Sequence, residues 1–199
     1  MIQYSTTHRS NSMTDIVTDL GATAYLLIYT GAAPANCATA ATGTLLVSLP
    51  CSATFGTVSA GVLTASAITG TAAAASGSAG YWRLCTTSAG TTCVAQGVCY
   101  GQSTLATSAA TASGNVLTFT ATSPIVAGQT VSGTNIPAGT YALDVTSTSV
   151  TLNQNVTSTG VASGATITFG GDLTFTSGVA LTSGTVVNVS NFTLTATGA

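Results

Sequence analysis

The chain has 199 residues, room for one β-sandwich or two small domains, and 3 % of them are charged, against roughly a quarter in an ordinary soluble domain. The ionic groups are Arg9, Arg83, Asp15, Asp19, Asp144 and Asp172; there is no Lys or Glu, His8 is the single histidine, and the net charge is −2. Two arginines neutralise too few phosphates for nucleic-acid binding, and Thr, Ser or Gly interrupts every apolar run before the roughly 20 residues a transmembrane helix needs.

So little charge points to a chain whose surface faces other protein in an assembly, because a free monomer ordinarily carries more charge to stay dispersed. The alternative is a soluble domain kept in solution by hydroxyl groups. Residues 1–9 lack the basic-then-apolar layout of a secretory signal, which predicts synthesis and assembly in the cytoplasm. Asn155, Asn188 and Asn191 each open an N-x-[ST] triplet; such triplets arise by chance in a Thr/Ser-rich chain, and without a leader glycosylation is not expected.

The first predicted element is a helix over residues 12–20, following an extended arm over residues 1–11. Met13, Ile16, Val17 and Leu20 recur at i, i+3, i+4 and i+7. Ser12 is suited to cap its start, Asp15 to meet the positive end of its dipole, and Gly21 to close it. So short a helix needs a sheet to pack on. Strand signals follow at residues 24–30 (AYLLIYT), 44–49 (TLLVSL, ending at Pro50), 61–68, 80–86 (GYWRLCT) and 92–100 (TCVAQGVCY). The last two flank Ser88-Ala89-Gly90, a hairpin turn. Residues 108–113 (SAATAS) read as a low-complexity linker. Residues 114–170 hold no Cys, Arg or Trp and read as short strands at 116–121, 130–133, 141–146, 149–152 and 165–169. Pro124 and the Ile136-Pro137-Ala138-Gly139 turn punctuate them. Further strands fall at 172–176, 185–189 and 192–197. Ala is plentiful, but its Thr, Ser and Gly neighbours spoil helix interiors. The predicted architecture is all-β: a main domain over residues 1–113 and 171–199, a jelly-roll-like β-sandwich, with a small β-domain (114–170) inserted.

All five cysteines lie in the main domain: Cys37, Cys51, Cys85, Cys93 and Cys99. No pair has C-x-x-C spacing and only His8 could add an imidazole, so no metal site is predicted. Cys85 and Cys93 are equidistant from Ala89 and face each other if that turn forms, a candidate cross-strand disulfide. Cys37 and Cys51 flank the 44–49 strand and are a second candidate pair, worth about 3 kcal/mol by loop closure, leaving Cys99 unpaired. The competing reading is five reduced thiols acting as small apolar residues; cytoplasmic synthesis favours it, and release to an oxidising exterior favours the bridges.

No catalytic constellation is predicted. The four aspartates are scattered, and no spacing joins Asp144 to Asp172 as a carboxylate pair. No G-x-S-x-G elbow precedes a histidine, and without Lys there is no phosphate-binding P-loop. Clustered carboxylates for Ca²⁺ are lacking, and no cofactor is expected. On the 80–86 strand Trp82 and Arg83 point to opposite faces. The simplest expectation puts Trp82 in the core and Arg83 outside, bonding a carboxylate or carbonyl; the functional alternative makes Arg83, with Arg9 of the arm, a subunit contact.

The runs RSNSMTDI (9–16) and LLIYTGAAPA (26–35) resemble the start of small structural proteins of tailed bacteriophages. The likeness continues in GTLL (43–46), PCSATFG (50–56), GYWRL (80–84) and residues 186–194, while residues 128–169 resemble a β-module of phage virion proteins. The cysteines depart from that pattern. The resemblance implies a capsid decoration (cement) protein, or else a tail-associated or receptor-binding module. The first predicts a homotrimer bound to the major capsid protein on the virion surface, with the arm across a neighbour. The second predicts carbohydrate binding through aromatic residues such as Tyr100 and Tyr141. A surface-layer subunit and a hydrolase fit less well, for want of a leader and of a catalytic pair.

Overall fold

The computed structural model describes residues 4–99, 103–122, 125, 127–170, 173–175 and 179–196. Tyr100, Pro124 and Asp172, singled out above, lie outside them. The architecture is all-β: 42 % strand, 8 % helical, one helix and several antiparallel sheets. The chain divides into two compact units, Met1–Tyr100 with Asp172–Ala199, and Gly101–Gly171.

The first unit opens with α1 (Thr6–Leu20), six residues earlier than the 3.6-residue periodicity indicates. Its N-cap is Ser5, whose hydroxyl accepts the His8 N–H at 3.2 Å, not Ser12. The extended arm expected up to residue 11 is therefore helical from Thr6. The added turns carry polar residues, invisible to an apolar pattern, and the Tyr4 ring stacks on His8 at 4.8 Å. Asp15 accordingly falls mid-helix. The apolar stripe is as expected: Leu20 is buried, and Met13, Ile16 and Val17 pack against the same core. Gly21 closes the helix at φ +62°, its N–H reaching the Val17 and Thr18 carbonyls.

The strands that follow are β1 (Tyr25–Tyr29), β2 (Leu45–Pro50), β3 (Gly56–Ser59), β4 (Val62–Ala65), β5 (Thr71–Ala72), β6 (Gly77–Ser78), β7 (Tyr81–Cys85) and β8 (Cys93–Val98). The second unit supplies β9 (Ser103–Ala106), β10 (Val116–Thr118), β11 (Thr130–Ser132), β12 (Ala142–Val145), β13 (Ser149–Leu152) and β14 (Thr166–Gly170). The chain then returns to the first unit as β15 (Leu173–Phe175), β16 (Ala180–Leu181), β17 (Val186–Val187) and β18 (Val189–Thr195).

Two four-stranded sheets dominate the first unit, ordered β2-β1-β7-β8 and β15-β18-β4-β3. Leu26, Ile28, Leu49, Trp82 and Leu84 from one meet Leu63, Leu173, Phe192 and Leu194 from the other in a single buried cluster with Leu20. Trp82 stands edge-on to Phe192, centroids 5.0 Å apart. Its ring also lies over Gly97, its partner across β7 and β8, where an added Cβ would come within 2.5 Å of Trp82 Cζ2. Gly97→Ala is thus expected to overpack this contact and lose about 1–3 kcal/mol in urea denaturation.

The second unit has its own core, built from Leu117, Phe119, Val131, Val150, Ile167 and Phe169 among others. Its sheets run β10-β13-β12 and β11-β14-β9. Residues 103–113, assigned above to the main domain and its linker, belong here. Strand β9 pairs with β14 in register Ala106↔Thr166, Leu105 packs on this core, and the buried Thr107 hydroxyl donates to Ala162 O at 2.7 Å. Composition marks residues 108–113 as a linker, but backbone pairing such as Thr111 with Val161 makes them structure.

Candidate functional site

Strand β7 is buried along its whole length, which alternation on a one-sided sheet does not produce. Trp82 and Leu84 face the main core, as expected. Tyr81, Arg83 and Cys85 point to the opposite face, beside Leu27 and Tyr29 of β1. That face is roofed by the segment joining β1 to β2. Ala33 and Ala41 of this segment pack on Tyr29, Tyr81 and Cys85, and Tyr29 and Tyr81 stack at 5.0 Å. The roof is pinned through its backbone: Gln96 Nε2 donates to Pro34 O at 2.6 Å, Arg83 Nη2 donates to Cys37 O at 2.6 Å, and the Thr42 N–H donates to the Tyr81 hydroxyl at 2.9 Å.

Arg83 is consequently 2 % exposed. The expectation that it lies outside, or reaches another subunit, is overturned by the roof, which the 80–86 pattern could not announce. Its Nε has no hydrogen-bond partner among the described residues. A buried guanidinium needs a countercharge, and the groups acting on it electrostatically are Cys93, Cys85 and Cys37.

The structure brings three of the four candidate bridge cysteines together around this arginine. Cys85 and Cys93 are paired across the hairpin as the spacing about Ala89 predicts, with a register irregularity between Leu84 and Cys85. The expected partner of Cys37 was Cys51; instead Cys37 Sγ lies 3.0 Å from Cys93 Sγ. Cys51 sits elsewhere, packed against the main core with its thiol directed at Leu49 O. Spacing singles out Cys37 but not its meeting with Cys93, which depends on where a long connection folds back. All five cysteines are free thiols.

These thiols differ sharply in acidity. Burial pushes Cys51 up to about 11 and Cys99 up to about 12. Cys37 is raised by burial and by its hydrogen bond to Cys93, and Cys85 is raised chiefly by its hydrogen bond to Cys93. Cys93 moves the other way, held well below the ordinary thiol range by the hydrogen bond from Cys85, then by those from Cys37 and Arg83, against the opposing effect of burial. Protonated, its thiol points at Ala95 O, 3.2 Å away; ionised, it accepts from three groups, which outweigh that one acceptor. Thiolate, not thiol, is the nucleophile. Because the shift is downward, Cys93 remains reactive as pH falls through the range where the other four are protonated. At pH 7 iodoacetamide is expected to label Cys93 first, at least about tenfold faster than the others; peptide mapping of a timed labelling course checks this.

The other sequence candidates are dispersed. Arg9 lies on α1, its side chain against Gly61 and its Nη2 3.4 Å from Thr6 Oγ1. Asp15 and Asp19 are exposed on α1, Asp144 is exposed on β12, and Tyr141 is half-buried. Among the described residues no group of three or more His, Cys, Asp or Glu is placed to hold a metal ion. No helix among them is long and apolar enough to cross a membrane. No protein-family model, no curated protein and no solved structure matches the chain.

Proposed function

We propose that this chain is a structural virion protein of a tailed bacteriophage, a decoration or cement protein that binds the outer face of an assembled capsid and reinforces it without catalysing a reaction. One observation carries the reading. Of six ionic groups in 199 residues, Arg83 is spent inside the fold, so at most five remain to charge the surface. Such a surface docks on protein with few ions to desolvate. A stable junction buries on the order of 1,600 Å², and a subunit spanning a seam in a shell adds that area to the shell's cohesion. The main unit is read as a jelly-roll-like sandwich, supported by the single core shared by two four-stranded sheets. The partners are the major capsid protein and two further copies of this chain.

The test is to add the purified protein to shells that lack it. It is expected to co-sediment in fixed ratio to the shell subunit and to raise the temperature at which shells disrupt. Failure to co-sediment, with the protein a monomer throughout, overturns the reading. Copy number separates it from a tail-associated module: hundreds per particle on a quantitative gel for decoration, tens or fewer for a tail.

A further inference from the structure

We propose that Cys37 and Cys93 form an oxidisable dithiol, in which Cys93 attacks a low-molecular-weight disulfide and Cys37 resolves the adduct, locking the 30–44 roof onto strand β8.

Geometry carries this. The two sulfurs lie 3.0 Å apart, about 1 Å beyond a disulfide bond, so small side-chain rotations close the gap. Both residues are partly exposed, whereas Cys85 is fully buried and Cys51 and Cys99 lie in the other cluster. An incoming disulfide and a departing thiolate can therefore reach Cys93 and Cys37 but not Cys85. Cys37 already stands on the roof held by Arg83 through its carbonyl, so the bond ties down a segment that has folded into place rather than drawing in a distant one. The buried guanidinium adds positive charge beside Cys93, a smaller contribution than the hydrogen bond from Cys85 but in the same direction.

The chemistry balances with oxidised glutathione as the oxidant. The Cys93 thiolate attacks one glutathione sulfur; the glutathione S–S bond breaks, one glutathione leaves as thiolate and takes up a proton, and Cys93 carries a mixed disulfide. The Cys37 thiol loses its proton, attacks Cys93 Sγ and expels the second glutathione, which is protonated in turn. Two protein thiols are oxidised by two electrons and one glutathione disulfide becomes two glutathione thiols. Cys85 remains a thiol under the bridge. The inference stands whether or not the protein binds a capsid.

The full chain is treated with oxidised glutathione at pH 7 and digested with chymotrypsin without reductant, since two arginines and no lysine leave trypsin little to cut. The expected product loses two free thiols and joins the peptide bearing Cys37 to the one bearing Cys93. The melting temperature is expected to rise by roughly 5–15 °C and to return on reduction. In Cys37→Ser the adduct is expected to stop as a glutathione mixed disulfide on Cys93; in Cys85→Ala the crosslink is expected to persist. A link between Cys85 and Cys93, which would lie within one peptide, overturns the proposal. So does a Cys93 that stays unmodified in the folded Cys37→Ser chain.

Discussion

Arg83→Ala is expected to cost about 3 kcal/mol of unfolding free energy, while Arg83→Met costs less than about 1 kcal/mol. The alanine removes a charged hydrogen bond to Cys37 O, strips the packing of the side-chain stem and leaves a hole beneath the roof. Methionine keeps most of the volume and adds no polar group, and the Cys37 carbonyl sits on a partly exposed residue where water can replace the lost donor. A buried arginine without a carboxylate is costly to keep, so its removal with packing preserved is nearly neutral. Both variants also lose the positive charge beside Cys93. Its thiol is expected to move back up toward the ordinary range, and its alkylation at pH 7 to slow. Chemical denaturation checks the first pair of effects and the iodoacetamide course checks the second. A Met variant as unstable as the Ala variant would show that the charge itself, not the filled space, holds the roof.

A larger loss is expected on the opposite face of the same strand. Trp82→Ala removes the ring that stands on Phe192 and covers Gly97, at about 3–5 kcal/mol. The neighbours cannot collapse into the space, because Gly97 has no side chain to offer and Phe192 is held edge-on to Phe55 at 6.0 Å as well. That is a large share of the 5–15 kcal/mol typical of a folded domain. The mutant is expected to lose cooperative thermal unfolding of the first unit while Phe119 and Phe169, 5.7 Å apart in the core of the second, keep their packing. Near-ultraviolet circular dichroism and amide exchange resolved by unit measure this. Full protection retained across β1 and β7 would contradict it.

Much of the strand pattern was legible because apolar, β-branched runs bounded by Gly and Pro carry their own signal. Strands β1, β2, β7, β8 and β13 lie where those runs are, and the Cys85–Cys93 pairing follows from the turn at Ser88-Ala89-Gly90. The helix was half legible: its apolar stripe was visible, its polar first turns were not. Strand β9 and the bridged segment after it were hidden, because Ser, Thr and Ala pair through their backbones without declaring it by composition. The thiol cluster was the least legible. Spacing brought Cys85 to Cys93, yet it matched Cys37 with Cys51, whereas the fold sets Cys37 against Cys93.

Local chemistry in the amino-acid order alone determined the all-β class, the scarcity of ionic groups and the hairpin that sets two cysteines face to face, since each depends on residues close in the chain. Tertiary structure decided the fate of Arg83 and Cys37. A connection with no periodicity of its own folds over the sheet, and only then does an arginine that alternation places outside become an interior charge among thiols. Contacts of that kind are set by the closure of a long loop against a surface, and nothing in the neighbouring residues encodes where it lands.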